Sequence, residues 1–266
     1  MSFPRPTLAV VPAFVRNEHD MQTLLTALVT LQETAPGTPA LVVDDCSPNK
    51  RLMDQLAVIA GEVDATVVRN AENSGFAASV NVGLREARSA GGDAVLVNAD
   101  IEFDTPRWLD ALQRRVDTQG RPAAVVGGML RYPNGLIQHA GVYYSILSRD
   151  WDHRFRFGPA ALPEAQVPAR CPVTAALQLI RNETLHEVGL YDEAYFMGWE
   201  DVDYCLRVFA AGLECIYEPA CSAVHAESVF RKDPSPELRR KTFESGVRLW
   251  STHSQSDMAR FAPAVG

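Results

Sequence analysis

The sequence predicts an α/β fold, a mostly parallel central sheet flanked by helices on both faces. Three observations carry that expectation. Apolar runs alternate with amphipathic segments throughout the first 130 residues, as in repeated β–α units. The apolar runs are nearly continuous, the pattern of strands buried on both faces. The 266 residues, 47% hydrophobic and 22% charged, supply the core of one large α/β domain or two small ones.

The elements follow in order. LAVVPA (8–13) reads as the first strand, and 18–33 as a helix with Met21, Leu24, Leu25 and Leu28 on one stripe. PALVVDD (39–45) is a second strand and 51–61 a helix; ATVVRN (65–70) is a third strand and 75–88 a helix. DAVLVNAD (93–100) is a fourth strand, and 106–116 a helix with Pro106 in its first turn. AAVVGGML (123–130) closes the series. Beyond it, 135–145 reads as extended or hairpin, and 146–170 as an irregular loop rich in Arg, Trp, Phe and Pro. Helices are expected over 181–190, from the FMGWEDVDYC stretch onward, and over 236–250, with a strand at 213–219. Right-handed crossovers place the C-terminal ends of the parallel strands along one edge, where such sheets bind ligands.

Net charge is −8, which argues against a broad nucleic-acid footprint. An anionic ligand then needs local compensation from a cation, basic side chains or helix N-termini. No apolar run approaches the roughly 20 residues of a membrane span, and MSFPRPTLAVVPAF lacks the pattern of a cleaved signal. The five cysteines are scattered without CxxC pairs and read as reduced thiols, some in the core, such as Cys205 and Cys215. A cytoplasmic setting is expected.

The chemistry-bearing residues sit at predicted strand ends. VVDDCSPN gives Asp44 and Asp45, which also suit a turn or cap. LVNADIEF gives Asn98, Asp100 and Glu102 at alternate positions, where their oxygens could converge on one hard cation, while Asn98 and Asp100 could instead cap the next helix. NSGFAASVNVG offers Asn73 and Asn81 as amides, with Gly75 allowing close backbone approach or acting as a hinge. Glu200, Asp201 and Asp203 crowd one helix start, where acids favour the N-terminus and where one could be a general base. Asp203 stands four residues before Arg207, a favourable helical pair. Phosphate loops, GxGxxG, GxSxG and His/Cys zinc clusters are absent from the sequence.

Taken in order, VVPAF, VVDDCSPN, NSGFAASVNVGL, LVNADIEF and EVGLYDEAYFMGWEDVDYCLRVFAAGLECIYEPACSAVHAES resemble the family 2 glycosyltransferases. The similar subgroup includes rhamnosyl- and galactofuranosyltransferase-like enzymes, and the resemblance spans roughly 7–230. It implies a GT-A fold, with a Rossmann-like, mostly parallel sheet and a smaller acceptor-side subregion. It divides the chain into a domain at 1–230 and a C-terminal helix and tail at 231–266. Within that domain, 1–130 is the nucleotide-binding half and 131–230 the acceptor half. The implied activity is inverting, metal-dependent transfer of a sugar from a UDP- or dTDP-sugar to an acceptor hydroxyl.

The resemblance also implies roles. Pro12, Phe14 and Asp44 or Asp45 would hold the base, and Asn73 and Gly75 would lie along the nucleoside. Asn98-Ala99-Asp100 matches the metal motif, with Asp100 on Mn²⁺ or Mg²⁺. His225 matches a position that completes the metal site in some members and is otherwise a loop histidine; an imidazole there favours Mn²⁺. Asp201 would be the base, Glu200 would orient the acceptor or sugar, and Trp199 would stack on a sugar or serve packing. Two departures stand out. Phe14-Val15 replaces the usual Tyr-Asn, with Asn17 later, and the metal motif begins with Asn. Glu102 would compensate for the lost charge, or the register shifts to Asp100-Ile101-Glu102. Arg154 and Arg156 would clamp a diphosphate or anionic acceptor, or simply belong to a surface loop. Rival readings are a sugar-phosphate nucleotidyltransferase, whose Gly-rich loop after the first strand is missing, and a silent nucleotide-sugar-binding module. The acceptor is open among glycan, lipid-linked sugar, protein and other hydroxyls.

Overall fold

The computed structural model describes residues 6–226 and 235–262. The domain boundary expected at 230/231 lies outside the described residues. The first half runs β1 (Thr7–Ala13), α1 (Glu18–Thr34), β2 (Ala40–Asp44), α2 (Lys50–Ile59), β3 (Ala65–Arg69), α3 (Phe76–Ala90), β4 (Asp93–Val97), β5 (Ile101–Glu102) and α4 (Trp108–Arg114). Next come β6 (Val125–Arg131), β7 (Ile137–His139), β8 (Val142–Ser145), β9 (Asp150–His153), β10 (Ala169–Arg170) and β11 (Leu177–Ile180). The chain continues through α5 (Asn182–Glu187), α6 (Glu200–Ala210), β12 (Cys215–His225), α7 (Pro236–Thr252) and α8 (Gln255–Ala259).

The ten-stranded sheet has the order β10-β12-β6-β11-β4-β1-β2-β3, with β5 added to β12 and β7 to β6. Pairings β1–β2, β1–β4, β2–β3 and β6–β12 are parallel, whereas β11 is antiparallel to both β4 and β6. Six long strands therefore run one way, and the mostly parallel α/β architecture expected from the sequence is observed. Strands β2 and β4 are buried along their whole length, which is why their sequences show no alternation. Helices cover both faces, giving two apolar cores. One packs α3 residues Val80 and Leu84 against Val10 and Leu96; the other packs α1 residues Leu24 and Leu28 against Val42 and Val95. Gly83 lets α3 lie directly on β1, since a Cβ there would stand 2.4 Å from Val10 Cγ1.

Three details differ from the sequence reading. The fourth strand stops at Val97, because Asn98, Ala99 and Asp100 form a turn closed by Ile101 N–H on Asn98 O at 3.1 Å. Pro106 precedes α4, which starts at Trp108 after Arg107 in a left-handed conformation (φ 60°). Strand β12 continues to His225 through a bulge between Glu218 and Ser222, where Pro219 interrupts the ladder.

Among the described residues no helix is long and apolar enough to cross a membrane. All five cysteines are free thiols, and Cys205 and Cys215 are buried.

Candidate active site

The parallel strands end along one edge, and a cavity of about 850 Å³ opens there. That volume lies in the range of small-molecule and cofactor sites. Its wall takes Pro12 and Phe14 from the end of β1, Asp45 after β2, and Asn73 and Gly75 before α3. Asn98 and Asp100 after β4, His225 at the end of β12, and Glu200 and Asp201 at the start of α6 complete the expected residues found there. Pro12 and His225, 213 positions apart in the chain, thus meet in one place.

Asp45 organises the loop before α3. Its Oδ1 accepts Ser74 N–H at 2.9 Å and Asn70 Nδ2 at 2.9 Å, and its Oδ2 accepts Gly75 N–H at 2.8 Å. Those bonds use three of the roughly four acceptor sites of a carboxylate. Gly75 has φ +90°, and a Cβ there would stand 2.4 Å from Phe196 O, the acceptor of Phe76 N–H at 2.8 Å. Only glycine allows this loop to close on the backbone at Phe196.

At the centre, His225 Nε2 lies 3.0 Å from Asp100 Oδ1 and 3.4 Å from Asn98 Nδ2, while His225 Nδ1 lies 2.6 Å from Gln138 Oε1. Among the described residues Asp100 Oδ2 and Asn98 Oδ1 are buried without a hydrogen-bond partner. Buried polar atoms of this kind are rare and ask for an occupant. A carboxylate, an imidazole and an amide oxygen form a donor set that fits a divalent cation such as Mn²⁺. Among the described residues no group of three or more His, Cys, Asp or Glu side chains is placed to hold a metal ion, so the Asp100–His225 pair relies on the Asn98 amide and on a ligand's own oxygens to complete any cation's shell.

The wall's charge points the same way. Among the described residues it carries Asp20, Asp45, Glu72, Asp100, Glu200, Asp201 and Glu237 against Arg16 and Lys241. Arg16 is paired with Asp20 at 2.8 Å, and Lys241 lies 3.6 Å from the Phe196 ring centroid. A polyanion meets net repulsion here unless a bound cation offsets it.

Opposite elements contribute α6. Gly198 (φ 85°) and Trp199 (φ 74°) take successive left-handed conformations just before the helix. A left-handed tryptophan costs of order 1–3 kcal/mol, and such strain clusters at functional sites. The turn aims Glu200 and Asp201 inward at the helix N-terminus, whose dipole favours a carboxylate. Asp201 Oδ2 accepts Ala175 N–H at 3.2 Å, and Oδ1 accepts Val202 N–H at 2.8 Å. Asp203 points away: it pairs with Arg207 at 2.8 Å, as expected, and also with His253 at 2.8 Å. Burial alone would raise its pKa, but the bonds from His253 and Arg207 hold it below the usual carboxylate value.

Several expected residues lie elsewhere. Glu102 is exposed, faces Val224 of β12 and does not line the cavity; the turn at 98–100 breaks the alternation that would have aligned it with Asp100. Asp44 is buried under Arg69 and accepts Ser47 N–H at 2.8 Å, so of the two aspartates only Asp45 reaches the cavity. Trp199 packs under α7, against Gly246 and 6.3 Å from the Trp250 ring, rather than facing the cavity. Asn81 ties α3 to Tyr191 O at 2.9 Å. Arg156 bonds Tyr132 Oη at 2.8 Å, and neither it nor Arg154 lines the cavity. Asn17, the displaced asparagine near the first strand, caps α1.

The sequence reading missed an imidazole pair. His139 Nδ1 lies 2.8 Å from His153 Nδ1, and both rings line the cavity. His139 Nε2 accepts Gly141 N–H at 3.3 Å and Thr174 N–H at 3.5 Å, so its proton sits on Nδ1. Burial first, then the neighbouring His153, His225 and Arg154, lower the His139 pKa well below the ordinary imidazole value. QHAG at 138–141 held the signal, but nothing in the chain pairs it with His153.

The family described as Glycosyl transferase family 2 matches residues 9–177. The O-antigen biosynthesis protein RfbC of Myxococcus xanthus is 28% identical over 253 residues, covering 92% of this chain and 19% of that protein. The N-acetylglucosaminyl-diphospho-decaprenol L-rhamnosyltransferase of Mycobacterium tuberculosis (strain ATCC 25618 / H37Rv) is 27% identical over 205 residues, covering 68% of this chain and 66% of that protein. The chain thus spans from about a fifth to two thirds of these relatives. A crystal structure of GalNAc-T7 with UDP, GalNAc and Mn²⁺ superposes with TM-score 0.68 at 16% identity, covering 94% of this chain and 48% of that one. The shared fold is the GT-A type.

Proposed function

From the premise that this chain belongs to glycosyl transferase family 2, we propose that it transfers a sugar from a nucleotide diphosphate donor to an acceptor hydroxyl, with inversion at the anomeric carbon. One observation carries the reading. A single cavity holds an underfilled carboxylate–imidazole–amide set (Asp100, His225, Asn98) and a helix-start carboxylate, Asp201. Inverting transfer asks for both: a centre that takes charge from the leaving diphosphate, and a base for the incoming alcohol.

In this proposal 1–130 is the nucleotide-binding half, 131–230 the acceptor half, and 231–266 a C-terminal helix and tail. Pro12, Phe14, Asn73 and Gly75 hold the nucleoside of a UDP- or dTDP-sugar, and Asp45 fixes the loop that carries Asn73 and Gly75. Asp100 and His225, with the Asn98 amide, hold Mn²⁺ or Mg²⁺. When bound, the cation supplies Lewis-acid stabilisation of the charge that grows on the departing diphosphate. Asp201 accepts the acceptor's proton as the hydroxyl attacks from the face opposite the leaving group. Its base strength can stay ordinary, because bond breaking to an oxocarbenium-like carbon acidifies the alcohol late in the step. Glu200 orients the acceptor or sugar from the adjoining position.

A thermal-shift panel of nucleotide sugars with and without Mn²⁺ tests the donor side, with hydrolysis assays on the hits. The expected result is stabilisation by UDP- or dTDP-sugars that EDTA abolishes. Indifference to every nucleotide contradicts the reading.

A further inference from the structure

Strand β7 is three residues long, and its middle residue, Gln138, is only 5% exposed and lines the cavity. Its Oε1 lies 2.6 Å from His225 Nδ1. A carboxamide oxygen has no proton to give, so this bond requires a proton on Nδ1. In the neutral ring that leaves the Nε2 lone pair as the donor position, and Nε2 is the atom 3.0 Å from Asp100 Oδ1. Among the described residues Gln138 Nε2 is buried without a hydrogen-bond partner. Burying half an amide unsatisfied is costly, so the side chain is poorly explained by packing alone. Among the described residues its side chain makes one bond, to His225.

From this geometry we infer that Gln138 is a positioning residue for the cation site. It accepts the Nδ1 proton of His225, fixes the ring's tautomer and plane, and presents Nε2 toward a divalent cation shared with Asp100. The inference rests on the cation site proposed above. A neutral amide suits this place because the wall is already rich in carboxylates. Partners of this kind orient metal-ligating histidines, and their loss typically weakens metal binding 10–100-fold.

The test is Mn²⁺ affinity of the nucleotide-free protein, read by electron paramagnetic resonance. It compares wild type, Gln138→Leu, Gln138→Glu, His225→Ala and the Gln138→Leu/His225→Ala pair. Gln138→Leu is expected to weaken Mn²⁺ binding about 10–100-fold. Gln138→Glu, which still accepts the Nδ1 proton, should restore it. In the His225→Ala background, Gln138→Leu should add no further loss, because the two side chains act as one unit. Equal affinity in wild type and Gln138→Leu, or a full further loss without His225, overturns the inference and leaves the cation site standing. Wild-type Mn²⁺ binding that Asp100→Asn leaves unchanged removes the cation site itself, and the inference with it. The ¹⁵N resonances of the His225 ring in Mg²⁺-loaded wild type read the tautomer without any variant. A proton on Nδ1 supports the inference; a proton on Nε2 overturns it.

Discussion

At the scale of single residues, Asp100 and Glu102 look interchangeable in LVNADIEF but occupy different environments. Asp100 has one carboxylate oxygen buried and unsatisfied inside the cavity, whereas Glu102 is exposed on β5. Asp100→Asn is therefore expected to weaken Mn²⁺ binding at least tenfold, in line with the loss of a charged hard-cation ligand, and Glu102→Gln to leave it unchanged. Calorimetric titration of the two variants checks this; a loss in Glu102→Gln would restore the register Asp100-Ile101-Glu102. His139 makes a second prediction, on pH. Its native pKa is depressed by burial, so between that value and its unfolded value, near 6.5, the unfolded chain binds a proton that the native protein does not. Its stabilising share is complete above about pH 6.5 and is lost as pH falls. Denaturant unfolding at pH 7 and pH 5 should show a larger drop in wild type than in His139→Gln. Equal drops would mean that His139 is not held neutral by the fold.

At the scale of elements, the loop before α3 is held by its backbone conformation and by a close approach. Gly75→Ala must strain a glycine-only conformation (φ 90°, ψ 178°) and displace Phe196 O, which receives Phe76 N–H. The expected cost is about 1–3 kcal/mol of stability, together with weaker nucleotide binding. Chemical denaturation that shows no loss would contradict the contact. The β–α units were legible because their signals are local: five apolar runs and the amphipathic helices between them. Strand β11 was not. Leu177–Ile180 is four residues buried on all sides, too short for periodicity to separate strand from helix, and its antiparallel place between β4 and β6 depends on distant partners. The site shows the same divide. Asp45, Asn98 and Asp100 follow strand ends and Asp201 stands in the first turn of a helix, and all four were readable there. The commitments of Asp44 to Arg69 and Trp199 to α7, and the His139–His153 pair, are tertiary facts with no local trace.

For the whole molecule, the proposed transfer requires one cavity to serve two chemistries. The sheet edge brings Asn98 and Asp100 after β4 and His225 of β12 to the same space as the start of α6, and Phe76 N–H on Phe196 O ties α3 to the chain before α6. That arrangement predicts a separation of binding from turnover. The most direct measurement is donor affinity and donor turnover of Asp201→Asn beside wild type, with Mn²⁺ present. The predicted result is unchanged affinity with turnover lowered about 10²–10⁴-fold, the usual worth of a positioned general base. Turnover at the wild-type rate would contradict the account.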